Sequence, residues 1–490
     1  MVTLDSLYHN LKPIKYKNST IPNVSKADIL GVTFDRHLTF ISHSARIKRE
    51  ARSRTNLFRL LGTGSHRASR QILLRIINSW LLPKLLYGIE IVSRERSNLE
   101  KRIAPIYHTA IRYATGAFVT SPIASLLCES GLQPLDHIIT YKVIAAAARM
   151  TEKNMKATAL TTRAHTYLSE LTQQQIPSVT KLAQIGSRPW YCRPPNIDWT
   201  IKYKLRAGCN SIIAKQHFAE LLQRKYRNHH LIFTDGSVLN GTTGCGIYST
   251  LDNCAIRLPD HTSIYSAEAI AMLIATEESL QHNKPNVIFT DSASVLQALE
   301  TGTTRDPYIQ HLSNTPQSPK VSFCWIPGHT GIHGNKKADR LANEGRNHAP
   351  SYDNKLSRRD YIQWSKAIIA NNWNTTWLRN TTSALRLIKA TTTPWEDPPS
   401  HQDQRKLSRL RIGHTRLTHG YITEKSSPPL CSFCGVVITV HHILTTCHGY
   451  SAQRTNCQLD TNIDSILSPD SNQQKKLLQF LKTTDLYDEI

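Results

Sequence analysis

Apolar residues recur at helical spacing through the first third of this chain. One stripe comprises Ile47, Ala51, Leu57, Leu60 and Leu61, and a second comprises Ile72, Leu73, Ile76, Ile77 and Trp80. Apolar positions three and four residues apart predict amphipathic helices. We therefore expect residues 1–170 to be mainly helical. The polar, proline-containing residues 171–226 are interpreted as a linker with a strand-like lead-in.

The next segment, residues 227–350, alternates short apolar runs with longer amphipathic stretches. The apolar runs predict strands at 231–235, 244–250, 253–258, 286–290 and 321–326. The amphipathic stretches predict helices at 264–281, 292–300 and 335–346. This order indicates an α/β domain with a mixed five-stranded sheet and flanking helices. Residues 351–490 form a last segment, which is helical in pattern and contains a Cys/His group.

Charge is distributed unevenly along the 490 residues, whose formal net charge is +24. Residues 1–226 hold 34 basic and 13 acidic side chains, whereas residues 227–350 hold 9 and 11. A basic surface attracts polyphosphate and supplies most non-specific affinity for nucleic acid. The first helical stripe predicts either phosphate contacts or a solvated face of a helical bundle. Its basic residues are Arg46, Lys48, Arg49, Arg52, Arg54 and Arg59.

The sequence disfavours secreted and membrane proteins. Its ten cysteines lack the dense spacing of a secreted disulfide scaffold, and its first residues do not resemble a signal peptide. The most apolar long stretch, residues 73–92, contains Arg75, Pro83, Lys84 and Glu90, which argue against a membrane span. We expect an intracellular protein with no membrane partner.

Four carboxylates stand where predicted strands end or predicted helices begin. Asp235 and Asp291 end two apolar runs, whereas Glu268 and Asp339 lie near the starts of helical patterns. Mg²⁺ prefers oxygen ligands, and two such ions about 3.5–4 Å apart can hold the attacking water and the leaving oxygen of a phosphodiester. We therefore predict one site for two Mg²⁺ ions, with Mn²⁺ as an alternative. Without metal, repulsion between the carboxylates would raise at least one pKa.

A histidine lies on the loop between the last predicted strand and the last predicted helix. His329 is flanked by Gly328 and Gly331, which indicate a mobile loop. A loop histidine is most often without a role, but an imidazole beside a hydrolytic site can move protons or assist product release. The position of His329 on the loop leading to Asp339 favours the functional interpretation.

Several short motifs surround these side chains. They are Thr234-Asp235-Gly236-Ser237, Ser266-Ala267-Glu268, Thr290-Asp291-Ser292, Pro327-Gly328-His329-Thr330-Gly331 and Gly334-Asn335 with Ala338-Asp339. Together they make residues 229–346 resemble a type 1 ribonuclease H. The resemblance implies a ribonuclease H-like fold, with Asp235, Glu268, Asp291 and Asp339 as catalytic Mg²⁺ ligands and His329 as the catalytic loop histidine. Many relatives carry an acidic residue where this chain has Lys336, a difference expected to alter substrate grip.

The flanking segments carry a looser resemblance. Residues 28–35, 82–88 and 129–135 resemble the region after the palm, the thumb and the connection of reverse transcriptases from jockey-like non-LTR retrotransposons. In such elements a ribonuclease H domain comes next. No Tyr-x-Asp-Asp-like turn is present, so we interpret the chain as a truncated fragment without polymerase activity. The life cycle of such elements implies a nuclear location, although no targeting motif is evident.

Near the C-terminus, Cys431, Cys434, His442 and Cys447 have the spacing of a tetrahedral site for one structural Zn²⁺. Thiolate and imidazole suit Zn²⁺ better than Mg²⁺. His441 is an alternative third ligand, although the pattern of jockey-like proteins favours His442. Unligated cysteines with a core histidine are the other interpretation. A run of basic residues upstream would add contacts to nucleic acid. It comprises Arg405, Lys406, Arg409, Arg411 and Arg416.

These observations predict an endoribonuclease that hydrolyses the RNA strand of RNA–DNA hybrids with two metal ions. Its products would carry 5′-phosphate and 3′-hydroxyl ends, and contacts to the 2′-hydroxyl would select RNA. Its partners would be the hybrid and nucleic acid held by the basic flanks. The alternative is a non-catalytic nucleic-acid-binding remnant of a retrotransposon. A third is another nuclease or integrase of the same fold, against which the order of carboxylates and the Pro-Gly-His loop argue.

Overall fold

The computed structural model describes most of the chain. The described residues are 14–17, 19–21, 24–63, 68–92, 96–182, 195–205, 210–281, 284–302, 306–314, 320–349, 353, 355–396, 398 and 400–490. Residues 1–13 of the predicted helical region and residues 183–194 of the predicted linker lie outside them. The chain divides into two compact units, Met1–Val143 with Ile369–Ile490, and Ile144–Ile368. No helix among the described residues is long and apolar enough to cross a membrane.

The N-terminal part of the first unit contains two hairpins followed by helices. The hairpin strands are β1 (Ile14–Tyr16), β2 (Ser19–Ile21), β3 (Lys26–Ile29) and β4 (Val32–Asp35). The helices are α1 (Ile41–Thr63), α2 (Arg70–Ile76), α3 (Leu82–Leu85), α4 (Ile89–Val92), α5 (Arg96–Thr115), α6 (Ile123–Ser130) and α7 (Leu135–Glu152), with a π-helical stretch at Ile77–Leu81. The second half of α7 belongs to the second unit.

The buried face of α1 differs in part from the predicted stripe. Ile47 and Ala51 are buried as predicted, but Leu57 and Leu60 are 38% and 67% exposed. Phe58 completes the buried face instead. Residues 47, 51 and 58 are spaced by four and seven, which keeps them on one side of a helix with 3.6 residues per turn.

The second unit is built around one sheet. The strands of the unit are β5 (Ser178–Val179), β6 (Ile197–Asp198), β7 (His230–Leu239), β8 (Thr242–Ser249), β9 (Asn253–Leu258), β10 (Asn286–Thr290), β11 (Val321–Trp325) and β12 (Lys355–Leu356). Of these, β5 and β12 pair with each other in a separate two-stranded sheet. Its helices are α8 (Thr158–Leu171), α9 (Thr200–Lys204), α10 (Ser211–Arg224), α11 (Ile264–Ser279), α12 (Ala293–Thr301), α13 (Pro307–Asn314), α14 (His333–Gly345) and α15 (Arg358–Leu378), of which α15 continues into the first unit.

The main sheet is mixed and has the strand order β6-β11-β10-β7-β8-β9. Strands β6, β11, β10 and β7 are parallel, and β8 and β9 continue the sheet antiparallel. Side chains alternate between its two faces. Ile232 and Ile288 join the core beneath α11, α12 and α13, whereas Phe233, Val287 and Phe289 join the core beneath α10 and α14. The predicted mixed α/β sheet with flanking helices is confirmed.

The segment expected to be a linker contributes to this unit. Residue Ile197 of β6 pairs with Phe323 of β11, which makes the sheet six-stranded and not five-stranded. On α10, the ring of Phe218 packs edge-on against Phe289, with centroids 5.3 Å apart. Strand β6 has two residues, too few to produce an alternating pattern. The short helix α13 was also missed by the sequence patterns.

The C-terminal part of the first unit is helical. Its helices are α16 (Ala384–Ile388), α17 (His401–Ile412), α18 (Arg416–Glu424), α19 (Ser451–Asn456), α20 (Ile463–Ile466) and α21 (Ser471–Thr483). On α17, Arg411 is 1% exposed and forms an ion pair with the buried Glu129. Burial opposes the charge of Glu129, but Arg411 and Arg70 hold its pKa below the ordinary value. Arg411 is therefore not available to hold nucleic acid, which corrects that part of the predicted basic run.

Candidate active site

Asp235 lies in the middle of β7 and not at its end, as the sequence had suggested. β10 pairs with β7 as far as Phe289, which lies opposite Phe233, whereas β8 continues alongside and places Gly246 opposite Asp235. Asp235 therefore lies just beyond the end of the neighbouring parallel strand. At this edge, Asp235 of β7 and Asp291, which follows β10, come together.

Glu268 and Asp235 share one backbone donor. The Gly236 N–H donates to Asp235 Oδ1 over 2.8 Å and to Glu268 Oε1 over 3.1 Å. A Cβ atom on Gly236 would lie 3.0 Å from the Ala267 Cβ, so glycine permits the close approach of α11 to β7. The other carboxylate oxygen, Glu268 Oε2, is buried and has no hydrogen-bond partner.

Asp291 directly follows β10 and is held from two sides. Asn335 Nδ2 donates to Asp291 Oδ2 over 3.2 Å, and Trp325 Nε1 donates to the Asp291 main-chain oxygen over 3.1 Å. A Cβ atom on Gly328 would lie 2.6 Å from Asp291 Oδ2, so the histidine loop passes directly against this carboxylate. Sequence reasoning assigned no separate role to Asn335, because its contact joins residues 44 positions apart.

Asp339 lies in the second turn of α14, which begins at His333, two residues before the predicted start. Asn343 Nδ2 donates to Asp339 Oδ1 over 3.0 Å, and Asn343 Oδ1 accepts from Ser237 Oγ over 2.9 Å. Asn343 therefore connects Asp339 to β7, and this residue was also missed by sequence reasoning.

Three of the four predicted carboxylates form a tight group. Ligand oxygens of Asp235, Glu268 and Asp291 all lie within 4.8 Å of one another, and this group does not include Asp339. The charge of Asp339 nevertheless acts on Asp235. Burial, and then the charge of Asp291, raises the pKa of Asp235 to about 7. Burial and the charge of Asp235 also raise the pKa of Glu268 well above its ordinary value.

The donor set fits a hard divalent cation. Carboxylate oxygens are the ligands that Mg²⁺ prefers, and no thiol or imidazole belongs to the group of three. A buried carboxylate oxygen without a donor, such as Glu268 Oε2, is costly unless a cation or water satisfies it. A bound cation would also favour the ionised forms of Asp235 and Glu268, whose pKa values are otherwise raised.

His329 is exposed on the loop between β11 and α14, with a φ angle of 54°. In the described part of the structure its ring makes no hydrogen bond to the four carboxylates. The loop nevertheless passes beside them, because Gly328 lies against Asp291. Within the loop, Thr330 Oγ1 donates to the Pro327 main-chain oxygen over 2.9 Å.

The C-terminal cysteines also converge. Ligand atoms of Cys431, Cys434, His442 and Cys447 all lie within 4.8 Å of one another. Cys447 Sγ lies 3.6 Å from Cys431 Sγ and 3.9 Å from Cys434 Sγ. These separations match the edge of a tetrahedron with metal–sulfur distances of about 2.3 Å, which is roughly 3.8 Å.

The histidine of this group has the orientation of a ligand. His442 Nε2 is buried without a hydrogen-bond partner, while its Nδ1 is 3.1 Å from Thr446 Oγ1. A partner on one ring nitrogen orients the other toward a metal. The alternative, His441, lies outside the group, and its Nδ1 is 3.2 Å from Thr445 Oγ1. The neighbouring imidazole of His442 lowers the pKa of the Cys431 thiol to about 6, which favours the thiolate needed for zinc.

The segment that contains the carboxylate site matches a known protein family. Residues 227–347 match the family model described as RNase H. This segment is an RNase H domain. The match supports the predicted resemblance of this segment to ribonuclease H, and it supports ribonuclease H enzyme activity for the domain. RNase H enzymes as a family use divalent metal ions.

The RNase H domain is similar to parts of longer curated proteins. It is 32% identical over 117 residues to the Pol polyprotein of equine infectious anemia virus and 30% identical over 140 residues to ribonuclease H1 of Rattus norvegicus. These alignments cover 23% and 24% of this chain. The chain spans 10% of the length of the first relative and 49% of the length of the second.

Solved structures also include matches to this chain. RNase H1 from the halophilic archaeon Halobacterium salinarum is 20% identical, with a TM-score of 0.21, and the alignment covers 25% of this chain and 99% of that chain.

Proposed function

We propose that this protein hydrolyses the RNA strand of RNA–DNA hybrids. The observation that carries the proposal is the convergence of Asp235, Glu268 and Asp291, within 4.8 Å of one another, in an RNase H domain. We further propose that Asp339 completes the site. The substrate would be the hybrid, with additional nucleic-acid contacts from the basic flanks.

The chain's own residues have distinct roles in this proposal. Asp235, Glu268, Asp291 and Asp339 would hold two divalent cations, which when bound supply a nucleophilic hydroxide and stabilise the leaving oxygen. The Gly236 N–H keeps Asp235 and Glu268 together at one edge of the site. His329, carried on the loop that touches Asp291, would accept or return a proton during turnover.

The context of the domain is a second part of the proposal. We infer that the chain belongs to a retrotransposon-derived reverse transcriptase and acts in the nucleus. This rests on the resemblance of residues 28–35 to the region after the palm of such enzymes, and of residues 82–88 and 129–135 to the thumb and connection regions. We propose that the four-residue Cys/His group binds one structural Zn²⁺. Its sulfur separations and the buried His442 Nε2, which has no hydrogen-bond partner, support this assignment.

The direct test is cleavage of a labelled RNA–DNA hybrid by the full chain, with Mg²⁺ and with no added divalent cation. Single-stranded RNA and duplex DNA serve as substrate controls. We expect Mg²⁺-dependent cutting of the RNA strand alone. The Asp291→Asn variant should lose cleavage and keep hybrid binding. Asp252→Asn, an exposed aspartate of the same unit, should cleave like the wild type.

Two outcomes would overturn the proposal. Hybrid binding by the folded wild-type chain without cleavage would favour a non-catalytic nucleic-acid-binding remnant. Cleavage of duplex DNA would instead indicate a different nuclease of the same fold. Cleavage that survives in Asp291→Asn would leave the reaction in place but refute the assignment of the site.

A further inference from the structure

A cavity of about 310 Å³ lies within the first unit, where α5 and α17 face the segment Gly116–Val119. Among the described residues that line it, three are arginines, Arg112, Arg405 and Arg409, and none is acidic. Thr109 and Tyr113 line it from α5. The volume is about ten times the ~30 Å³ that a liquid water occupies. The cavity therefore has room for a polyatomic anion with part of its hydration.

Main-chain groups hold two of the arginines in position. Gly116 has a φ angle of 68°, and a Cβ atom there would lie 2.5 Å from Arg405 Nε. The absent side chain thus lets Arg405 lie across the backbone. Arg409 Nε donates to the Gly116 main-chain oxygen over 2.8 Å, and Arg409 Nη1 donates to the Ile490 main-chain oxygen over 2.6 Å.

Burial and mutual repulsion act on the arginines of this cavity. Burial, and then the charge of Arg405, lowers the pKa of Arg409 to about 10. Burial also lowers the pKa of Arg112. Arg112 Nη2 donates to the Ser121 main-chain oxygen over 3.4 Å, but Arg112 Nε is a buried donor without an acceptor. An unmatched buried donor among three guanidinium groups is satisfied best by an anion.

We propose that this cavity binds a phosphate group of a nucleic-acid backbone. Guanidinium groups offer paired N–H donors that match the oxygens of phosphate. Tyr113, together with the 61% exposed Val119, supplies an aromatic and apolar surface that a sugar or base can cover and that a free phosphate does not need. The site gives a location to the nucleic-acid contacts of the basic flanks and rests on that part of the proposed function, but it uses none of the carboxylates and lies in the other unit.

The test measures binding and not cleavage, so its failure is separate from failure of the nuclease proposal. Fluorescence anisotropy of a labelled RNA–DNA hybrid is recorded with the full chain over a range of salt concentrations, with no divalent cation added. Thr109→Glu places a carboxylate among the arginines and leaves all three in place. We expect it to weaken binding about tenfold. The slope of log affinity against log salt should fall by about one for each phosphate that the cavity no longer holds.

Matched variants separate the cavity from general charge effects. Thr109→Gln has similar size without the charge and should bind like the wild type. Arg405→Gln should weaken binding, whereas Arg379→Gln, which removes an exposed arginine from the same unit, should have little effect. Hybrid affinity and salt dependence that are unchanged in a folded Thr109→Glu would overturn the proposal. The proposal would also be overturned if inorganic phosphate stabilised the wild type while Thr109→Glu bound the hybrid as tightly as the wild type. The cavity would then hold free phosphate.

Discussion

The side-chain amide of Asn335 donates to Asp291 Oδ2 over 3.2 Å and so joins α14 to the end of β10. Asn335→Ala would remove this donor and leave Asp291 free to rotate. Partners that orient metal-binding side chains typically contribute about 10–100-fold to metal affinity or activity. We expect a loss of that size in cleavage rate, partly restored by higher Mg²⁺, measured as initial rates across a Mg²⁺ titration. Asn347→Ala, at an exposed position after the same helix, should retain the wild-type rate.

Stability without metal should depend on pH through Asp235. Its pKa is about 7 in the folded chain, mainly because of burial, whereas its ordinary value is 3.8. The stability associated with its protonated form is fully present below about pH 4 and is lost as the pH rises toward 7. Asp235→Asn, which cannot ionise, should therefore match the wild type at pH 4 and become relatively more stable by pH 7. Thermal melts with no divalent cation would test this, and parallel pH profiles would contradict it.

The helix that carries Asp339 rests on glycine positions of β8. A Cβ atom on Gly244 would lie 2.5 Å from the Ala342 main-chain oxygen, and one on Gly246 would contact the Ala338 main-chain oxygen. Gly246→Ala should push α14 from the sheet, with a cost of about 1–3 kcal/mol as in other overpacked sites. We expect a lower melting temperature and slower cleavage. Gly420→Ala, in α18 with space around it, should stabilise the chain slightly, since alanine favours helix.

Removal of metal from the Cys/His group should destabilise the C-terminal part of the chain. Cys447→Ser should lower the zinc content measured by elemental analysis from one ion per chain to none. It should also lower the melting temperature, because binding free energy of structural zinc is folding free energy. Cys457→Ser is the matched control, since Cys457 is buried outside the group and its Sγ is 3.8 Å from Thr483 Oγ1. Zinc retained in Cys447→Ser would refute the ligand assignment.

The segment before the RNase H domain should support its stability. Phe218 of α10 contacts Phe289 and Phe233, with centroid distances of 5.3 and 6.2 Å. Truncation of this half-buried ring in Phe218→Ala should cost about 2 kcal/mol, below the ~3–5 kcal/mol of fully buried rings. Chemical denaturation of the full chain would measure it. Ile212→Ala removes a 60% exposed side chain from the same helix and should cost much less.

The sequence by itself determined the class of the central domain and indicated the side chains of its candidate sites. Strand and helix periods are local properties, so β7, β10, α11 and α14 were predicted near their observed positions. The choice of carboxylates in motifs predicted a hard-cation site, and three of those side chains do meet. Cysteine and histidine spacing likewise predicted the group around Cys447 and His442, because short loops leave few other geometries.

Only the tertiary structure decided which long-range contacts complete these sites. The hydrogen bonds of Asn335 to Asp291 and of Ser237 to Asn343 join residues 44 and 106 positions apart. No local pattern encodes such pairs. The sequence also did not predict strand β6, because two residues are too few to show an alternating pattern. This strand is stabilised by its pairing with β11. Arg411 and Arg409 look equivalent in the sequence. Packing buries Arg411 against Glu129 and places Arg409 in a cavity. Their burial differs because different distant segments of the chain pack against the two sides of α17.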